Sequence, residues 1–156
     1  MKKFLKILLI ILFIFFLLLC SINSIFKALS LASSGAGKAS DLQLLARAIN
    51  GEARGEIYEG QVAVGAVILN RVKSSDFPNT IAGVIYQPGA FTAVSDGQIN
   101  VPINESSTVV KAAQDALNGW DPTNGCIYYF NPNTATSSWI WSKTIVKTIG
   151  KHHFCK

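Results

Sequence analysis

The fourteen residues from Ile7 to Cys20, ILLIILFIFFLLLC, contain no polar side chain, and Lys2, Lys3 and Lys6 stand just before them. Such a run is not the surface of a soluble domain, so it divides the chain before any other feature is weighed. A basic start followed by a short apolar run reads as a secretory signal or a retained membrane anchor. Spanning a bilayer takes about 20 residues, which this run reaches only if continued through SINSIF to Phe26. We read it first as an anchor, with the lysines on the cytoplasmic side by the positive-inside rule. A cleaved signal is the alternative, since Ser30–Ala32 (SLA) offers a cleavage site, although far from the apolar run. The leucines before Cys20 make a poor lipoprotein signal. Each reading places the rest of the chain outside the cytoplasm.

Charge follows the same division. Five of the 14 basic residues (Lys2, Lys3, Lys6, Lys27, Lys38) precede residue 39, and none of the 9 acidic ones does. The remainder is balanced, so the formal charge of +5 is mostly a topology signal. Without a basic run in the globular part, nucleic-acid binding loses its support. The expected organisation is an anchor or signal over 1–27, a small-residue linker over 28–39 (ASSGAGKAS at its end) and one domain over 40–156.

Within the domain, Ser40 or Asp41 can cap a helix carrying Leu42, Leu45, Ala46 and Ile49 at helical spacing, ended by Asn50-Gly51. A second helix is expected from near Tyr58 to Lys73, where Ala63, Gly65 and Ala66 allow a neighbouring helix to approach closely. IAGVIYQ, stopped by Pro88-Gly89, is a short helix, and STVVKAAQDALNG is another, capped by Ser106 or Ser107 and stopped by Gly119. Between them Phe91–Ser107 reads as a long irregular loop of the kind that binds ligands. Beyond Trp120, CIYYF, SWIW and TIVKTIGKHHFCK are rich in β-branched and aromatic residues and predict two to four short strands, the last two joined near Gly150. The class is α+β, helices first and a small antiparallel sheet last.

Two segments carry candidate chemistry. In LLARAINGEARGE, Glu52 and Glu56 lie four residues apart between two apolar helices. An arbitrary pair of glutamates is a solvated face, but a carboxyl held at such a junction and partly screened from water suits a general acid. Outside the cell, one such acid is enough for glycosidic cleavage of wall polysaccharide. In YYFNPNTATSSWIW, Phe130 or Ile140 faces the core, while Tyr129, Trp139 and Trp141 are candidates to stack on sugar rings and Asn131 to contact their polar groups. Phe91 and Glu56 complete the candidate substrate contacts. Cys126 and Cys155 either pair or stay as two buried thiols, since no spacing rule decides. His152 and His153 are most simply strand residues. With no cysteine–histidine cluster, neither a metal nor another cofactor is expected.

These segments, with IGKHHFCK at the end, resemble the cell-wall hydrolases of the SleB/CwlJ type, the spore cortex-lytic enzymes and their relatives. The likeness covers nearly all of residues 41–156. It implies a mostly helical body similar to resuscitation-promoting factors and lysozyme-like lytic transglycosylases, with a small sheet, and it makes Glu52 the catalytic acid. The implied reaction cleaves the bond between N-acetylmuramic acid and N-acetylglucosamine. Glu52 protonates the leaving oxygen and then takes the proton of the muramyl C6 hydroxyl, closing a 1,6-anhydro ring without a second carboxylate. The well-known cortex enzymes prefer glycan containing muramic-δ-lactam. Larger relatives carry a separate peptidoglycan-binding domain, so here an N-terminal anchor would position a monomeric enzyme near its glycan. The alternatives are a hydrolytic muramidase using the same acid and a non-catalytic glycan-binding germination accessory protein.

Overall fold

The computed structural model describes residues 2–156, with side chains described for 17–30 and 40–156. It divides into two compact units, 1–39 and 40–156, each described by itself. Helix α1 is assigned over Lys2–Ala53. In the first unit its described side chains include Leu17, Leu18, Leu19, Ile22, Ile25, Phe26 and Leu29, all largely exposed. Most of the apolar run of the expected anchor falls on residues whose side chains lie outside those described. Among the described residues no helix is long and apolar enough to cross a membrane.

The second unit begins with the last part of α1, so the capping role expected of Ser40 or Asp41 is not used: helix already precedes them. Leu45, Ala46, Ala48 and Ile49 are fully buried there. Helix α2 (Tyr58–Lys73) is the centre of the domain, with its residues from Gly60 to Ile68 all buried. A run buried on every side needs neighbours all round it, and α2 has them. A Cβ on Gly65 would lie 3.0 Å from Ile49 and 3.1 Å from Ala116, so the missing side chain lets α1 and α5 (Thr108–Leu117) pack against it. Ala63 and Val67 face the other way, onto Cys126, Ile149 and Phe154 of the sheet.

Helix α3 (Ile81–Ile85) is capped by Thr80, whose hydroxyl accepts the N–H of Gly83. The expected loop 91–107 is partly ordered into a helical turn α4 (Thr92–Ser95) and a 3₁₀ turn (Gln98–Asn100). The sheet has three antiparallel strands, β1 (Tyr128–Phe130), β2 (Ile145–Ile149) and β3 (His152–Cys155), in the order β1-β3-β2. β2 and β3 form a hairpin whose turn holds Gly150 at φ +58°.

SWIW, expected among the strands, is instead the one-turn helix α6 (Ser138–Trp141). Its aromatic and β-branched residues favour a strand, but tertiary packing decides here. Ile140 is buried against Phe130 and Cys155 on the outer face of the sheet, and this contact holds the turn in place. Cys126 and Cys155 are both buried free thiols.

Candidate active site

Glu52 lies in the last turn of α1, one residue before its end. Gly51 does not end the helix by left-handed backbone, as the sequence suggests; it is helical. Its absent side chain serves a different purpose, because a Cβ at this position would collide with Ala93. Glycine therefore lets α4 settle against the end of α1, and that approach delivers two donors to Glu52. The Thr92 hydroxyl donates to Oε1 at 2.8 Å and the Ala93 N–H donates to the same oxygen at 2.9 Å. The other oxygen, Oε2, accepts the Tyr129 hydroxyl at 3.2 Å. Three elements distant in sequence thus converge on one half-buried carboxyl.

Tyr129 comes from β1, packed at 5.3 Å edge-on against His152 and at 6.0 Å against Phe154. Burial, and then the neighbouring Glu52 carboxylate, hold its hydroxyl well above the ordinary tyrosine pKa, so it remains a donor. Burial pushes His152 below the usual histidine range, against the pull of Glu56 and Glu52. Its ring is therefore neutral near pH 7.

Glu56 has a different set of partners. Its Oε2 accepts the Lys151 N–H at 2.9 Å and lies where a side chain on Gly150 would have to go. It neither pairs with Arg54, which donates to Gln98 Oε1, nor lies free towards a substrate. Glu59 is taken up by Lys147 at 3.1 Å. Of these three glutamates, Glu52 is the one that accepts from a side chain bordering open space, Tyr129.

That space is a cleft of about 410 Å³ along the free edge of β1, whose lining includes Arg71, Gln87, Tyr128, Tyr129, Ser137 and Trp139. Of the candidate sugar contacts, Tyr129 and Trp139 border it. Trp141 is half exposed but packs at 4.8 Å on Phe130, outside the lining. Asn131 turns its Oδ1 onto the Asn133 N–H and shapes the loop after β1, so it is not free to meet a ligand through that oxygen. Phe91 is buried to 3% exposure and presents its ring to Arg71 at 5.3 Å, so it cannot stack on a sugar.

Arg71 is the residue that sequence reasoning missed. In NRVK it reads as the solvated end of a helix. Its guanidinium is instead held among Phe77, Phe91 and Tyr128, and its Nε donates to the Ile127 carbonyl at 2.7 Å. Burial lowers its pKa, opposed by Tyr129, Tyr128 and Glu52, and it forms the floor of the cleft as a cation. Only the aromatic density around it, at Phe77, Phe91 and Tyr128, could have signalled this role.

One half-buried carboxyl thus has three fixed donors, one of which, Tyr129, borders an aromatic cleft on a small α+β domain. The family model described as Cell Wall Hydrolase matches residues 55–155. The Spore cortex-lytic enzyme of Bacillus cereus is 64% identical over 116 residues, 74% of this chain and 44% of that protein. The Cell wall hydrolase CwlJ of Bacillus subtilis is 33% identical over 121 residues, 73% of this chain and 83% of that protein. Among solved structures, the catalytic domain of the germination-specific lytic transglycosylase SleB from Bacillus anthracis superimposes with a TM-score of 0.71 at 63% identity. It matches 74% of this chain and 93% of that one. The chain belongs to the cell wall hydrolase family. It spans less than half the length of the spore cortex-lytic enzymes it matches.

Proposed function

We propose that the chain is a peptidoglycan-cleaving lytic transglycosylase in which Glu52 alone is general acid and then general base at the bond between N-acetylmuramic acid and N-acetylglucosamine. The observation that carries this reading is the contrast in carboxylate partners. Glu52 is oriented by Thr92, Ala93 and Tyr129, the last of which lines the cleft, while Glu56 is engaged by the Gly150–Lys151 turn and Glu59 by Lys147. A retaining glycosidase needs a second carboxylate as nucleophile and an inverting one needs it as base. Capture by the substrate's own C6 hydroxyl needs neither. The lytic transglycosylase name of the Bacillus anthracis relative and the spore cortex role in the name of the Bacillus cereus one favour the same chemistry on cortex glycan.

In this mechanism Thr92 and the Ala93 N–H hold Oε1 so that Oε2 faces the cleft. Oε2 gives its proton to the leaving glycosidic oxygen. The carboxylate that remains, still stabilised by its donors, takes the proton of the C6 hydroxyl as that oxygen closes on C1. Half-exposed Trp139 supplies an aromatic face for a saccharide ring. The same reading places domain 40–156 outside the cytoplasm, carried there by the N-terminal segment 1–27 across a linker at 28–39.

Glu52→Gln keeps the shape and removes the proton, so cleavage should fall by about 10²–10⁴-fold. Mass spectrometry of the parent's muropeptides should show ends one water lighter than reducing ends. Reducing ends would identify a hydrolase, and a Gln variant as active as the parent would overturn the role of Glu52.

A further inference from the structure

Lys143 follows α6, and its ammonium is held in the corner of two rings that line the cleft. Its Nζ lies 4.7 Å from the ring centre of Trp139 and 4.8 Å from that of Tyr128, and the rings meet edge-on at 5.1 Å. A cation fixed between two aromatic faces has given up much of a lysine's usual freedom, so less ordering is left to be done when an anion arrives. Among the described residues Lys143 forms no ion pair. The cation that lines the cleft, Arg71, lies 5.7 Å from the same Tyr128 ring. The lining of the cleft contains no aspartate or glutamate. A groove with Arg71 in its lining, Lys143 held on two of its rings and no acid of its own favours a negatively charged substituent on whatever lies along it.

Peptidoglycan has one source of such charge. The lactyl arm of a muramyl unit ends in a carboxylate when free and leads to the carboxylates of a stem peptide when substituted. Cyclised to a δ-lactam, it carries none. The geometry points to Lys143 as a carboxylate-recognising residue, so that the muramyl unit docked beside Trp139 is one that keeps a carboxylate on its lactyl arm. This rests on the glycan-cleaving reading given above.

The test uses the full chain and one preparation of glycan strands in three forms. The first keeps its stem peptides. The second is stripped by an amidase, which leaves only lactyl carboxylates. In the third every carboxyl is converted to an amide with carbodiimide and ammonium. The amidated strands should show a KM about two- to fivefold higher than the form that carries the recognised carboxylate, the size of a partly exposed charge pair. Lys143→Gln should remove that difference and Lys143→Arg should keep it. A lower KM for the stripped strands alone assigns the lactyl carboxylate, which an attached stem peptide masks as an amide; a lower KM for the peptide-bearing strands alone assigns the stem peptide, and a lower KM for both means that either carboxylate serves. The proposal is overturned if the parent treats all three forms alike, or if Lys143→Gln still tells them apart. A parent that cleaves none of the three forms refutes the glycan-cleaving reading instead, and the proposal falls with it.

Discussion

Glu52 and Glu56 stand one helical turn apart in sequence and have the same side chain, yet their surroundings separate them. The donors to Glu52 are a hydroxyl and an N–H from α4 and a phenol from β1, arranged around one half-buried carboxyl. Glu56 is met by the backbone of the β2–β3 turn, where Lys151 donates and Gly150 leaves space. Each carboxyl depends on a glycine, but for opposite ends. Gly51 admits α4 to the Glu52 carboxyl, whereas Gly150 admits a carboxyl to the turn. One glutamate is served by the fold and the other serves it.

This contrast breaks most directly at Gly51. Alanine is a better helix former than glycine by about 1 kcal/mol, so on propensity alone Gly51→Ala would stabilise α1. The collision of its Cβ with Ala93 should prevail and push α4 away from Glu52. Cleavage should drop about a hundredfold, the scale of a misplacement near 1 Å, with no gain in thermal midpoint. A variant that gains stability and keeps its activity would show that the close approach of α4 is not what holds Glu52.

The sequence made some of this arrangement readable. Tyr58–Lys73 was expected as α2 because its periodic apolar residues and small positions leave little else it can be, and the structure agrees. The β2–β3 hairpin follows from β-branched runs on either side of a glycine. Glu52 draws attention because its segment joins two apolar helical stretches, although the structure carries α1 through it to Ala53. What escaped were features decided by contacts distant in sequence. SWIW has the residues of a strand but turns helical where Ile140 meets Phe130 and Cys155. Phe91 opens a polar loop, yet the ring of aromatics about Arg71 draws it inside. Asn131 has the composition of a sugar contact, but its side chain is bound within its own turn.

Glu56 should respond in the opposite sense to Glu52. Glu56→Gln keeps an acceptor oxygen but loses the charge that strengthens the bond from the Lys151 N–H. Stability should fall by about 1 kcal/mol, lowering the melting midpoint by roughly 4 °C for a domain of this size, while kcat changes less than about threefold. A loss of cleavage as large as that expected for Glu52→Gln, with unchanged stability, would make Glu56 a partner in the chemistry and return the pair to symmetry.

The smallest effect lies between the two carboxylates, at His152. Its pKa in the folded chain is below the ordinary value of 6.5, with burial the leading cause. In the unfolded chain it titrates near 6.5, so below that pH the unfolded state takes up the proton first. The stability contributed by the buried neutral ring is complete above pH 6.5 and declines as pH falls below it. Melting curves from pH 7.5 to pH 5 should therefore show a loss for the parent that is smaller in His152→Gln, which has no proton to gain there. If the two curves fall in parallel, His152 is not the group that titrates. The acid sensitivity then belongs to other groups, and Tyr129 owes its position beside Glu52 to Phe154 rather than to a neutral imidazole.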